Sequence, residues 1–390
     1  MQQLHRNLQL LCIAPLLLVQ SAESLNLRCP GPGVCLTLSP DATPMNMTRW
    51  MSYLDDGTCL TTISIPGTHD TMAFQRVKTF ADHFANTQSG NLRQQLDAGV
   101  RFLDIRARHY RNTFEMHHGA VYLDHNFTSV VHTLDGFLSG LGKDEVIIMR
   151  LKDENYLPKH NKRTFAETLE SYVLEHPDTS EILQRILYIP PQDQASYKFP
   201  RVGPETRGKI VMIQDYSTEG ATRKFGTNFK DSIRIKMQDF YIVTTTADIV
   251  KKKWNKIVQF WVNNIPEQRR RIETGDDCQD LPLLVNFLSA GSFLQTPRMV
   301  ALNHKRGINN RVQHLLRNKW QTVWDTAFTS FQWGIPGLKG PTTGIVVWDF
   351  INTKAARLVV SFNFRGNPKF DWKEVGYSNL GDPWRYQPWN

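Results

Sequence analysis

The stretch Ser64-Ile65-Pro66-Gly67-Thr68-His69-Asp70 decides how this chain is read. Apolar and β-branched residues (Thr61, Thr62, Ile63, Ile65) run into a Pro-Gly break and then into His-Asp. That pattern predicts a buried strand whose C-terminal end delivers an imidazole and a carboxylate to one spot. Two more strands follow at once, Val100–Arg106 (VRFLDIR) and Phe114–Gly119 (FEMHHG), and each also ends in ionisable residues. Further strands are expected at Glu145–Leu151, Lys209–Gln214, Ile233–Gln238, Leu283–Leu288 and Gly344–Trp348. Helices are expected between them at Leu92–Ala98, Thr128–Leu141, Thr164–Leu174, Ala247–Val262 and Asn309–Arg317. Alternating strands and helices point to an α/β fold, a distorted TIM-type (β/α) barrel, with an open doubly wound sheet as the alternative. Catalytic groups of such barrels collect at strand C-termini. Neither the GxGxxG nor the GxxxxGK[ST] nucleotide loop occurs.

Working outward, 390 residues at 41% hydrophobic content suffice for one barrel-sized domain, expected over residues 51–390. Residues 1–24 resemble a secretory signal: Arg6, an apolar run from Leu8 to Val19, then small Ala22 and Ser24. An N-terminal anchor is the competing reading, although the run is short for a bilayer. Residues 25–50 form a Cys- and Pro-containing leader. Signal removal leaves Cys29, Cys35, Cys59 and Cys278, an even count that favours two disulfides in an oxidising compartment. Three pairings are open, with Cys29–Cys35 as the local choice and Cys59–Cys278 as its complement. No cysteine and histidine set has zinc spacing. Asn46 and Asn126 begin glycosylation sequons, meaningful for a secreted chain. The formal charge of +9 suits a phosphate-rich partner. The basic residues are scattered, apart from Lys251-Lys252-Lys253 and Arg269-Arg270-Arg271, and no nucleic-acid motif accompanies them, so an anionic membrane surface and a plain solvated basic surface both stay open; a monomer is expected.

Two histidines, an arginine and several carboxylates at strand ends match phosphodiester cleavage by general acid–base catalysis. One imidazole takes a proton from an attacking hydroxyl and the other protonates the leaving oxygen. A guanidinium neutralises charge on the non-bridging oxygens. A two-histidine nuclease uses the same parts. Each residue also has a structural reading: Gly-Thr-His-Asp as a helix cap, Asp104 and Arg106 as an ion pair, His118 as a turn residue. Their coincidence at three consecutive strand ends favours chemistry.

The runs SIPGTHD, DAGVRFLDIR and MHHG, followed by MRLKDE at 149–154, MQDFY at 237–241 and VWDFI at 347–351, resemble the X-domain of phosphatidylinositol-specific phospholipase C. The single-domain bacterial-type enzymes are the nearer match. The resemblance implies that His69 is the base for the inositol 2-hydroxyl, held by Asp349. It implies that Arg106, placed by Asp104, binds the phosphate, and that His118, supported by Asp70, is the acid toward the diacylglycerol oxygen. Lys152, Asp239 and Tyr241 are implied for the inositol pocket, and His117 for packing.

Calcium-dependent relatives place an acidic ligand where Arg106 stands. A guanidinium repels the ion and does the same electrostatic work, so a metal-independent enzyme without cofactors is expected. One departure is Asp215, where the bacterial enzymes tend to carry a basic residue; it bears on whether free or glycan-substituted inositol is accepted. The resulting expectation is a secreted lyase acting on phosphatidylinositol or glycosylphosphatidylinositol anchors. The alternatives are a glycerophosphodiester or sphingomyelinase D type of phosphodiesterase, and an inactive lipid- or carbohydrate-binding protein. The segment Ser292–Met299, with Phe293, Leu294 and Met299 beside Arg298, is the expected lipid contact; inward packing of those side chains is its competitor.

Overall fold

In the computed structural model, which describes residues 27–31, 34–37, 44–74, 79–154, 160–192, 197–303, 307–318 and 342–364, strands β1 (Leu27–Gly31) and β2 (Val34–Thr37) pair antiparallel. They belong to a unit separate from residues Asn46–Asn363. The signal segment and the side chains of Cys29 and Cys35 lie outside the described residues.

The apolar run before His69 divides. Leu60–Thr62 form a 3₁₀ turn, and β3 spans Ile65–Thr68, so Pro66 and Gly67 lie inside the strand instead of ending it. Proline is tolerated there because the neighbouring strand begins late. Gly67, opposite Phe102, is the first residue paired to that side, and the missing N–H of Pro66 leaves no ladder bond unmade. Gly67 is required by close approach: a Cβ there would meet the Phe102 Cβ at 2.9 Å.

The chain then builds β4 (Phe102–Tyr110), β5 (Thr113–His118), β6 (Val121–Asn126), β7 (Val146–Asp153), β8 (Lys209–Asp215), β9 (Gly226–Asn228), β10 (Ile235–Gln238), β11 (Leu283–Phe287) and β12 (Ile345–Trp348). Eight of these run parallel in the order β10-β11-β12-β3-β4-β7-β8-β9, a curled sheet that stays open between β9 and β10. Thr113–His118 is not a barrel strand as expected. It folds back antiparallel on β4 and pairs with β6, because the Arg111-Asn112 turn takes left-handed backbone at both residues. The vacated place in the count of eight falls to β9, three residues long and without an alternating pattern to reveal it.

Helices cover the sheet: α1 (Asp82–Ala85), α2 (Leu92–Asp97), α3 (Phe127–Leu138), α4 (Phe165–Leu174), α5 (Ser180–Ile186), α6 (Trp254–Glu273), α7 (Pro297–Leu302), α8 (Ile308–Asn318) and α9 (Thr353–Ser361). Capping boxes start α2 at Asn91 and α4 at Thr164. The sequon asparagines are exposed and spend their side-chain oxygens as caps, Asn46 accepting from Thr48 N and Asn126 from Ser129 N. Among the described residues no helix is long and apolar enough to cross a membrane.

The N-terminal end of the barrel is closed by structure alone. Arg101 and Glu145, both fully buried, form an ion pair. Glu145 also accepts the backbone N–H groups of Met51 and Ser52, and Arg101 donates to the carbonyls of Leu96, Val100 and Thr48. A disulfide joins Cys59 to Cys278 across 219 residues, with Cα atoms 6.0 Å apart.

Candidate active site

β3 ends by placing His69 at the C-terminal mouth, and β12 ends by placing Asp349 beside it. His69 Nδ1 and Asp349 Oδ1 share a hydrogen bond of 2.8 Å. Gln88 clamps the two strand ends, donating through Nε2 to the carbonyls of His69 and Trp348 at 2.9 Å each. Immediately after His69 and Asp349 the chain turns through left-handed backbone, at Asp70 (φ 38°) and Phe350 (φ 49°). A bulky residue rarely adopts that conformation, and strain of this kind gathers at functional sites.

His118 arrives from the β5–β6 hairpin. Its ring centre lies 5.8 Å from that of His69, edge to face at 89°. Its Nδ1–H donates to the Ala85 carbonyl at 2.7 Å, which leaves Nε2 free to carry a transferable proton. Asp70, the implied support of His118, stands at 3.6 Å from the same nitrogen, beyond hydrogen-bond length, so the carbonyl is the nearer orienter. The Asp70 carboxyl is fully buried and makes no hydrogen bond among the described residues.

Alternation on β4 puts Asp104 and Arg106 on one face, two residues apart. Arg106 Nε donates to Asp104 Oδ2 at 2.9 Å and Nη1 to Glu154 Oε1 at 3.0 Å. The second Asp104 oxygen takes Arg150 Nη1 at 3.0 Å. Lys152 Nζ donates to the other oxygen of Glu154 at 2.9 Å. Glu154 and Arg150 carry no assigned role in the sequence reading. The signal was present: Arg150, Lys152 and Glu154 fall at every second position along and just past β7, hence on one face.

The electrostatics follow from burial. Desolvation, then the Arg106 charge, push His69 well below the ordinary imidazole value of 6.5. The same two causes bring His118 down to about 4. Desolvation raises Asp70 and Asp349 well above the usual carboxylate range. For Asp104 burial pushes up, but the flanking guanidiniums of Arg106 and Arg150 win and keep it ionised. Lys253, fully buried and donating to the Phe240 carbonyl at 2.7 Å, is brought down to about 7 by desolvation. Asp349 is one of the anions that oppose this. Nothing in its sequence surroundings, three lysines at the start of a helical segment, marks it as buried.

Beside this cluster lies a cavity of about 720 Å³ at the ends of β7–β10, lined by Arg150, Lys152, Asp215, Tyr216, Phe229 and Asp239 among others. The expected pocket residues Lys152 and Asp239 therefore meet. Tyr241 does not join them: it is 60% exposed and absent from the lining. Asp215 pairs with Arg150, through Nη2 at 2.5 Å and Nε at 3.1 Å. His117 is buried against Tyr122, with ring centres 5.4 Å apart.

Residues 63–215 match the family Phosphatidylinositol-specific phospholipase C, X domain. A 1-phosphatidylinositol phosphodiesterase of Listeria monocytogenes is 32% identical over 276 residues, 69% of this chain and 75% of that protein. One from Staphylococcus aureus strain Newman is 33% identical over 174 residues, 44% of this chain and 52% of that protein. Among solved structures, the phosphatidylinositol-specific phospholipase C of Listeria monocytogenes superposes with a TM-score of 0.61 at 29% identity, covering 82% of this chain and 99% of that one. A Staphylococcus aureus structure determined for the modulation of membrane binding gives 0.61 at 24% identity, over 82% of this chain and 99% of its own, a likeness of fold.

Proposed function

The chain belongs to the phosphatidylinositol-specific phospholipase C family, and from that premise we propose that it cleaves phosphatidylinositol by proton transfer between His69 and His118 across one phosphodiester. His69 takes the proton of the inositol 2-hydroxyl, and that oxygen attacks phosphorus. Arg106 meets the charge growing on the non-bridging oxygens. The bond to the diacylglycerol oxygen breaks as His118 supplies its proton, giving inositol 1,2-cyclic phosphate and diacylglycerol. The carrying observation is the pair of imidazoles 5.8 Å apart, each oriented through Nδ1, with Arg106 fixed on the adjoining strand. Phosphatidylinositol vesicles treated with the protein are expected to release water-soluble inositol 1,2-cyclic phosphate. Release of glycerol phosphate or choline products, or of nothing, overturns this reading. Glycosylphosphatidylinositol anchors belong to the same proposal, since the cavity has the size that holds a drug-sized ligand. Secretion is supported by the Cys59–Cys278 disulfide together with the apolar N-terminal run.

Metal independence belongs to the same reading. A fixed guanidinium already supplies the charge that a cation brings, so cleavage is expected to persist at full rate in excess chelator. Loss of activity in chelator with recovery on added calcium contradicts it.

Both imidazoles titrate below 6.5, His118 near 4. A lowered value makes the basic form of His69 available at lower pH, and it removes the acid form of His118 as pH rises. The bell of kcat/KM on a soluble inositol phosphodiester is therefore expected to peak on the acid side of 6.5. A peak above pH 7.5 contradicts these roles.

The lipid contact is expected where the loop after β11 meets α1. Phe293 is 76% exposed and stacks on Phe84 at 5.6 Å, with Phe80, 69% exposed, against both rings. Rings that touch one another yet face solvent are placed to enter an interface. Phe293→Ser is expected to weaken binding to phosphatidylinositol vesicles several-fold while sparing cleavage of the soluble diester. A parallel loss of both, with a lower Tm, makes Phe293 a packing residue.

A further inference from the structure

The polar side chains at the mouth form one continuous chain of alternating charge, Asp215–Arg150–Asp104–Arg106–Glu154–Lys152. Each link is a hydrogen-bonded ion pair of 2.5–3.0 Å. Three parallel strands carry it in register. Asp104 is opposite Arg150, Arg106 opposite Lys152, and Lys152 opposite Asp215. Both ends of the chain, Asp215 and Lys152, line the cavity, while its middle member Arg106 stands between the two histidine-bearing strand ends and β7. The interior members are buried, Asp104 completely, Arg150 to within 4% and Arg106 to within 8% of full exclusion. Arg150 is further confined by the Phe229 ring, 4.0 Å from its guanidinium carbon. A planar fork held on two carboxylates and one ring face has a single orientation.

We propose that Arg150 is a positioning residue for Arg106, and that Asp215, by sharing Arg150 with Asp104, couples occupancy of the cavity to the phosphate site. This rests on the phosphodiester reading above. Asp104 offers two oxygens, one to each guanidinium. With Arg150 on Oδ1, Oδ2 is left to Arg106 Nε and the Asp70 backbone N–H, and Arg106 also spends an Nη1 hydrogen on Glu154. The remaining Arg106 donors are then aimed by a carboxylate that cannot rotate. Without Arg150 the Asp104 Oδ1 becomes available to Arg106, and the carboxylate, then held only by the Asp70 N–H on Oδ2, aims the guanidinium less sharply. A hydroxyl-rich ligand in the cavity finds an acceptor in Asp215. Oδ2 of Asp215 takes both Arg150 bonds, and a ligand hydroxyl on the other oxygen of the same carboxylate polarises the one that holds Arg150.

The test compares Arg150→Met, Arg150→Lys and Asp215→Asn with the wild-type protein. Three readouts are needed: kcat and KM on a soluble inositol phosphodiester, the rate ratio of its two phosphorothioate diastereomers, and calorimetric binding of inositol 1-phosphate. Arg150→Met is expected to lower kcat ~10–10²-fold with KM within about threefold, since misaiming a catalytic group by an ångström costs on that order. The diastereomer ratio should fall toward one, which a merely structural lesion would not cause. Arg150→Lys keeps the charge without the fork and should recover part of both, which also serves if the methionine variant fails to fold. Asp215→Asn should weaken calorimetric binding of inositol 1-phosphate several-fold and shrink the diastereomer ratio by a smaller factor. An unchanged ratio in every folded variant, or a fall in Tm alone, overturns the proposal. A wild-type protein inactive on the diester counts against the proposed function instead. In that case equal inositol 1-phosphate binding by wild type and the Arg150 variants still overturns the role of Arg150.

Discussion

His69→Ala and His118→Ala are each expected to lower kcat on phosphatidylinositol by ~10²–10⁴, the contribution of one positioned proton-transfer group. The folded state should survive both changes. His118 hangs from a hairpin outside the barrel order, and His69 occupies a strand end with its ring edge-on to His118 and Phe287. Together the two substitutions should cost little more than either alone, because the groups act as a unit in one proton relay. Circular dichroism and thermal melting establish the fold, and single-turnover cleavage measures the step. Near-full activity in either folded variant refutes the assignment.

The second large effect is on stability and comes from the opposite end of the barrel. Glu145→Ala is expected to destabilise the fold by ~3–5 kcal/mol, because it leaves the Arg101 guanidinium charged, buried and unpaired. Two backbone N–H groups, of Met51 and Ser52, lose their acceptor in the same stroke. Replacing both partners by apolar residues of similar volume should recover much of the loss. Urea denaturation measures it, and kcat of the folded fraction should hold, since the pair sits away from the strand C-termini. A loss below 1 kcal/mol would mean that the pocket around Arg101 admits water.

Much of this architecture is legible in the sequence because it rests on short-range patterns. Alternation within FLDIR puts Asp104 and Arg106 on one face, and the capped apolar periodicity after Thr164 yields α4. What stays hidden depends on the third dimension. Thr113–His118 carries the composition of a barrel strand, and only the left-handed turn at Arg111-Asn112 sends it back along β4. β9 contributes three residues, fewer than any periodicity needs. Lys253 reads as one of a solvated trio until packing encloses it. Tyr241, implied for the pocket by motif, stands 60% exposed beyond the end of β10 at Gln238, where its backbone carbonyl still accepts from Gly291 N but its ring faces solvent.

The placing of β3 between β4 and β12 has a temporal meaning. His69 lies on the first strand of the barrel and its carboxylate partner on the last, 280 positions later. A nascent chain that has made β3 through β11 possesses His118, Arg106 and the cavity wall, yet not Asp349, the hydrogen-bond partner of His69. Contacts this remote in sequence form late and slowly. The pairing of His69 with Asp349 therefore waits for the last barrel strand to dock, and a barrel assembled only through β11 leaves that imidazole without its carboxylate.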